Sequence, residues 1–191
     1  MTNSKPVISC KNVWKLFGFA PEKYYKSLSE NKSYEDIQAD GYIAGVKDVS
    51  VDVFKGEMLV IMGLSGSGKS TLLRCMSRLH DITGGTIAID DQDIMSLEEK
   101  ELIDLRRNKM GMVFQSFGLL PHRSVLENVA FPLEMRGQSK HDRRDRALEV
   151  IKLVGLEGRE DYFPRELSGG QQQRVGIARS LAIEPDIWFL D

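Results

Sequence analysis

The segment from Gly63 to Thr71 combines the residue types that bind a nucleotide phosphate. It matches the pattern G-x-x-x-x-G-K-[ST], in which glycines let successive backbone N–H groups turn toward one anion. The lysine of this pattern brings a positive charge to the β- and γ-phosphates, and the next hydroxyl can ligate Mg²⁺. We therefore predict a nucleotide phosphate site made of Gly63, Leu64, Ser65, Gly66, Ser67, Gly68, Lys69, Ser70 and Thr71.

A second segment, Leu167–Arg174, has the form of a helix start that could receive an anion. Ser168 is a good N-cap and Gln171 completes an S-x-x-Q capping box. Gly169 and Gly170 leave the first turn without side chains, so an anion could approach the backbone closely. Without any further information, a well-capped amphipathic helix with no chemical role is the better explanation of this pattern.

The elements around these segments predict how they are positioned. The apolar run Met58–Met62 predicts a buried strand that leads into the phosphate loop, and residues 72–79 predict a helix after it. Without that context, the loop could be a Gly/Ser-rich surface turn that carries a lysine. An antiparallel strand is predicted at residues 7–17, and further strands are predicted at residues 46–54 and 86–90.

The region 21–40 interrupts the strand pattern with charged and aromatic residues, and Ser33 with Asp36 resembles a capping box. We predict a pair of short helices inserted there. The second half of the chain predicts helices at 98–107, 124–135, 141–154 and 168–182, and short apolar strands at 111–114 and 185–190. Strands that alternate with helices indicate a mostly parallel α/β core, and the consecutive helices between 124 and 182 indicate a separate helical lobe.

The composition describes an ordinary soluble protein of 191 residues, with 41% hydrophobic residues and a formal net charge of -2. The chain has no excess of basic residues over acidic ones, and therefore no charge signal for nucleic acid as a partner. Two cysteines without C-x-x-C spacing, Cys10 and Cys75, indicate a reducing compartment and are expected to be small buried side chains. No apolar run reaches the ~18 residues of a membrane span, so we expect contact with a membrane only through a partner.

Four features, in this order and spacing, resemble the nucleotide-binding subunit of an ABC transporter: the phosphate loop, Phe114-Gln115, Leu167–Gln171, and an apolar strand that ends at Asp191. The resemblance implies an α/β fold with a P-loop NTPase (RecA-like) core, an antiparallel β subdomain and a helical subdomain. It predicts one ABC-type ATP-binding domain over 1–191, an N-terminal helical insertion at 21–40 and a helical subdomain at 116–182.

The same resemblance implies a role for each motif. Lys69, Gln115 and Asp191 would be catalytic, and Ser70, Gln115 and Asp191 would hold Mg²⁺. Two copies would enclose two ATP molecules, so that the phosphate loop of one copy faces the α-helix start at Ser168 of the other. In this arrangement the ATP-binding residues also include Ser168, Gly169, Gly170 and Gln171. Phe17 lies where the family has an aromatic residue that stacks on adenine. A core aromatic explains Phe17 nearly as well, and a strand-capping role would explain Gln115.

The insertion at 21–40, with Val60–Thr71 and Met112–His122, is similar to glycine betaine/proline (quaternary amine) importers. Such a subunit would sit at the cytoplasmic face of the inner (plasma) membrane. It would contact a permease through the surface near Ser116 to Met135, and a substrate-binding protein only indirectly. The basic run Arg143, Arg144 and Arg146 favours a solvated face.

The chain stops at Asp191, whereas the family continues with a catalytic Glu, a switch His on a later strand and, in similar importers, regulatory domains. We expect a truncated ATPase whose core sheet is incomplete at its C-terminus, and poor turnover from these residues alone. Two alternatives to the importer remain: an ATP-binding fragment that does not hydrolyse ATP, and a cytosolic ABC-type ATPase without a membrane partner.

Overall fold

The computed structural model describes residues 5–28 and 32–191. Within these ranges the chain divides after Glu99 into a first compact unit and a second one, Lys100–Asp191.

The first unit is built on a four-stranded antiparallel sheet. Its strands are β1 (Ile8–Phe17), β2 (Ile43–Val53), β3 (Gly84–Ile89) and β4 (Gln92–Asp93), in the order β2-β1-β3-β4. The predicted strands are confirmed, although β2 begins three residues earlier than predicted. In the central strand β1, Cys10 pairs with Val51 on one side and Ile87 on the other.

Two short helices, α1 (Pro21–Ser27) and α2 (Tyr34–Ala39), form the insertion between β1 and β2, as predicted. The capping box at the start of α2 is also confirmed: Ser33 accepts from the Asp36 N–H, and the Asp36 carboxylate accepts from the Ser33 N–H. Ile37 of α2 is buried with Leu16 of β1, so the insertion has an apolar anchor on the sheet.

The predicted buried strand at Met58–Met62 is wrong. None of these five residues lies in a strand, and Met58 and Met62 are each 86% exposed. A strand exists where a neighbour satisfies its backbone groups, and among the described residues no strand pairs with this run. The helix predicted after the phosphate loop is confirmed as α3 (Lys69–Met76).

The second unit contains two parallel strands, β5 (Met110–Val113) and β6 (Ile187–Leu190), with Val113 opposite Leu190. Both strands were predicted. However, β6 is buried on one face only, since Trp188 and Leu190 are exposed. The expectation of a mostly parallel core is not met by the described residues, in which β5 and β6 are the one parallel pair.

The helices of the second unit are α4 (Glu99–Lys109), α5 (Val125–Met135), α6 (Lys140–Leu153) and α7 (Gly169–Ala182), with a 3₁₀ turn at Pro164–Glu166. All four helices match predicted ones. The last three share one apolar core, whose members include Val125, Val129, Leu133, Ala147, Val150, Ile151, Val175, Ala178 and Ala182. The domain boundaries 1–191, 21–40 and 116–182 stay predictions.

Candidate nucleotide site

The phosphate loop of the first unit has the backbone conformation that its glycines allow. Gly66 and Gly68 have φ of 80° and 87°, which residues with a Cβ rarely adopt. A Cβ on Gly68 would also overlap the backbone carbonyl oxygen of Gly45. Among the described residues no side chain caps the start of α3, where Gly68 is the N-cap. The loop therefore leads into a helix start whose dipole favours an anion.

Lys69, the first residue of α3, turns back over this loop. Its Nζ donates to the carbonyl oxygens of Leu64 at 2.7 Å and Gly63 at 3.0 Å, and lies 3.5 Å from Ser67 Oγ. The ammonium group is thereby placed beside the backbone that would surround a phosphate. The geometry fits a cationic contact to a bound phosphoryl group.

A cleft of about 350 Å³ adjoins the loop within the first unit. Its lining includes Lys69, Ser67 and Gly68 from the loop region, Gly45 and Lys47 from β2, and Tyr34 from the insertion. The phosphate loop therefore borders open volume.

Phe17 ends β1 and is 38% exposed. A Cβ built on Gly45 would lie 2.7 Å from the Phe17 ring and 3.1 Å from the Thr71 methyl group, so both side chains flank Gly45. The ring also makes an edge contact with His80, at 6.1 Å between centroids. Phe17 is thus an exposed aromatic beside the helix that follows the phosphate loop, and its contact with adenine stays a prediction.

In the second unit, Gln115 and Asp191 follow the carboxyl ends of the two parallel strands. Gln115 comes two residues after the end of β5, and Asp191 directly follows β6. The Asp191 N–H donates to the Val113 carbonyl oxygen at 3.0 Å, which continues the pairing of the strands. The two side chains therefore leave the sheet at the same edge.

The Leu167–Gln171 segment has the predicted capping box. The Ser168 N–H donates to Gln171 Oε1 at 2.9 Å, and Ser168 Oγ accepts from the Gln171 N–H. Ser168, Gly169 and Gly170 are exposed, and a Cβ on either glycine would meet nothing within 4 Å. This start of α7 is open to a large ligand.

The structure thus groups the predicted residues in three places. The phosphate loop and Phe17 belong to the first unit, and Gln115 with Asp191 and the start of α7 belong to the second.

The sequence analysis did not predict two residues that bond the backbone of the segment after Gln115. Arg179 of α7 donates to the carbonyl oxygens of Phe117 and Gly118. Asn128 of α5 is fully buried and bonds both backbone groups of Leu120. Each is a polar residue within an apolar helical run, which is the signal that could have identified it.

Comparison with known proteins identifies the family of the chain. The family model described as "ABC transporter" matches residues 46–191, and the chain belongs to that family. Over 186 residues it is 78% identical to the trimethylamine N-oxide transport system ATP-binding protein TmoW of Ruegeria pomeroyi, which covers 97% of this chain and 55% of that protein. The glycine betaine/proline betaine transport system ATP-binding protein ProV of Escherichia coli is 47% identical, over 96% of this chain and 46% of that protein.

Among solved structures, the dimeric ABC transporter cassette MJ0796 matches with a TM-score of 0.81 and 39% identity, over 96% of this chain and 73% of that one. A post-hydrolysis state of the same cassette, bound to ADP and Pi, matches with a TM-score of 0.79 and 38% identity, over 96% of this chain and 76% of that one. These matches confirm the predicted family and the P-loop NTPase fold. The chain spans about half the length of the curated relatives it matches, and no helix in the described ranges is long and apolar enough to cross a membrane.

Proposed function

We propose that this chain is the ATP-binding region of an ABC importer subunit that couples ATP hydrolysis to uptake of a trimethylated amine. The observation that carries the proposal is the phosphate loop, where Gly66 and Gly68 take positive φ and the Lys69 ammonium group lies over the loop carbonyls. This geometry occurs in a chain whose family and fold are those of ATP-binding cassettes.

Two copies of the chain would enclose the nucleotide. The exposed start of α7, with no Cβ on Gly169 or Gly170, suits close approach to a γ-phosphate held by the other copy's phosphate loop. The similar cassette MJ0796 is described as a dimer, which supports this arrangement. Ser168, Gly169, Gly170 and Gln171 would then complete in trans a site that the phosphate loop begins.

The hydrolytic roles follow from the chemistry of the side chains. Lys69 would neutralise charge on the β- and γ-phosphates, and Gln115 would orient the attacking water. Ser70 carries a hydroxyl oxygen, Gln115 an amide oxygen and Asp191 a carboxylate, which are oxygen donors of the kind that Mg²⁺ prefers, and each is proposed as a ligand. When bound, Mg²⁺ would offset negative charge on the phosphates.

The surface of α5 supports docking of a permease. A cleft of about 650 Å³ in the second unit is lined from this region by His122, Arg123, Leu126, Glu127, Ala130 and Glu134, and from α6 by Lys140, Arg143 and Arg144. We propose that a permease segment binds near Ser116 to Met135, which would hold this subunit at the cytoplasmic face of the inner membrane. A substrate-binding protein would act through the permease, and nucleic acid is not a proposed partner.

The substrate class rests on the relatives. The TmoW proteins of two organisms, at 78% and 63% identity, are named for trimethylamine N-oxide transport, and those named for glycine betaine are 47–48% identical. A trimethylated amine is common to these names, and trimethylamine N-oxide is the first compound to test.

The test is uptake of labelled trimethylamine N-oxide by cells that carry the full-length subunit with its permease and substrate-binding protein. Lys69→Ala should abolish uptake, whereas Lys55→Ala, in an exposed turn, should leave it unchanged. Uptake that persists in the Lys69→Ala strain would contradict the proposal. A full-length subunit that hydrolyses ATP but never co-purifies with a permease would instead support a cytosolic ATPase.

A further inference from the structure

The turn that follows Gln115 is held on helix α7 by one side chain. Arg179 Nη1 donates to the Gly118 carbonyl oxygen at 2.6 Å, and Nη2 donates to the Phe117 carbonyl oxygen at 3.1 Å. Phe117 and Gly118 have φ of 62° and 55°, so the backbone makes a tight left-handed bend there. A planar guanidinium can bond two successive carbonyls at once, which the single ammonium group of lysine does less well.

Helix α7 also holds the backbone on the other side of Gln115. Ser180 Oγ donates to the Met112 carbonyl oxygen of β5 at 2.9 Å. Gly176 lies close to the bend, since a Cβ built on it would be 3.6 Å from the Phe117 carbonyl oxygen. Gln115 therefore lies between two backbone segments that are both bonded to the second half of one helix.

The first turn of the same helix carries Ser168. Ser168 and Arg179 are separated by about three turns of α7, so one continuous helix connects the two positions. Burial lowers the pKa of Arg179 from its ordinary value, yet a guanidinium stays protonated in proteins, so its bonds to the carbonyls remain charge-assisted.

We propose that Arg179 is the positioning residue for Gln115: it ties the bend after Gln115 to α7, so that Gln115 and the helix start at Ser168 move as one body. This inference rests on the proposed function, in which Gln115 acts on ATP and Ser168 contacts the nucleotide of a second copy. It predicts that loss of Arg179 slows hydrolysis without weakening ATP binding by the phosphate loop.

Arg136 is a matched control in the same unit. Like Arg179, Arg136 is half-buried, and burial lowers the pKa of its guanidinium. Its guanidinium also donates to backbone carbonyl oxygens, which are those of Arg107, Asn108 and Ile183. Its acceptors lie at the ends of α4 and α7 and not in the bend after Gln115. Arg136→Met removes the same kind of interaction without releasing that bend.

The first experiment measures amide hydrogen exchange in the full-length subunit. Arg179→Met should raise exchange about tenfold in peptides that contain Phe117 and Gly118, and Arg136→Met should not. Exchange in that bend that is unchanged by Arg179→Met would overturn the proposal. This measurement needs no permease, so it decides the role of Arg179 even if the importer function fails.

The second experiment measures ATPase activity of the full-length subunit reconstituted with its permease. Arg179→Met should lower kcat by about tenfold and leave the KM for ATP within about twofold, and Arg179→Lys should recover part of the loss. Arg136→Met should leave both constants near wild type. Equal losses in the two Met variants would mean that Arg179 is merely structural. If wild-type ATPase activity does not respond to the permease, the importer proposal fails, and exchange still tests Arg179.

Discussion

The ammonium nitrogen of Lys69 lies 2.7 Å from the carbonyl oxygen of Leu64. Lys69 begins α3 and Leu64 lies in the loop before it, so this bond joins the start of the helix to the backbone of the phosphate loop. Phosphate oxygens would compete with these carbonyl oxygens for the ammonium group, because a hydrogen bond between two ionised groups is the stronger one.

Substitution of Lys69 should therefore affect nucleotide affinity more than folding. Lys69→Ala should weaken binding of ATP by at least about tenfold, because a charge-assisted contact to the phosphates is lost. Lys69→Arg should not restore it, because a planar guanidinium does not occupy the position of a compact ammonium group. Isothermal titration calorimetry checks the affinity and far-UV circular dichroism checks the fold. Wild-type affinity in Lys69→Ala would contradict the assigned role.

Gly68 allows a second test of the loop. Gly68→Ala places a Cβ into the Gly45 carbonyl oxygen at a residue with φ of 87°. Overpacking adds about 1–3 kcal/mol to the backbone strain, which itself costs about 1–2 kcal/mol. Gly56→Ala is the matched control, because Gly56 has φ of 77° but nothing lies within 4 Å of its built Cβ. Urea denaturation should show the larger loss of unfolding free energy for Gly68→Ala, and equal losses would contradict the steric argument.

The elements that the sequence predicts well are those set by local chemistry. The capping boxes at Ser33 and Ser168 involve side chains three residues apart, so their sequence spacing is sufficient to predict them, and both form. The phosphate loop is of the same kind, since glycines at fixed positions permit its conformation.

Features that depend on distant partners were predicted less well. The run Met58–Met62 has the composition of a buried strand, but strand formation needs a neighbour that composition does not supply. Arg179 and Asn128 were missed for a related reason. Their acceptors at Phe117, Gly118 and Leu120 are backbone carbonyls of another segment, which a sequence pattern does not reveal.

Ser168 tests the proposed assembly of two copies. Ser168→Arg adds a long cation at the exposed start of α7 and should prevent ATP-dependent dimerisation, while ATP binding by the monomer stays nearly intact. The matched control is Ser139→Arg, which removes the N-cap of α6 in the same way and should cost about 1 kcal/mol of stability without affecting dimerisation. Analytical ultracentrifugation with ATP measures the first effect. Loss of ATP binding by the Ser168→Arg monomer would contradict the assignment of Ser168 to a second copy's site.

The two buried cysteines predict a dependence of stability on alkaline pH. Burial raises the pKa of the Cys10 thiol to about 12 and that of the Cys75 thiol to about 11, from an ordinary 9.0. The fold therefore favours the neutral thiols. The stability this provides is fully present below pH 9 and is lost as the pH rises toward 11 and 12, because the unfolded chain then releases protons that the folded chain retains.

Two measurements check this expectation in the full-length subunit. The free energy of unfolding should fall between pH 9 and pH 11, and the fall should be shallower in a Cys10→Ala, Cys75→Ala variant than in wild type. At pH 8, iodoacetamide should modify both cysteines in denaturant and neither in the native protein, since the thiolate is the reactive form. Mass spectrometry of the peptides that contain Cys10 and Cys75 resolves the two sites. Native modification as fast as in denaturant would show that these thiols are accessible and ionise normally.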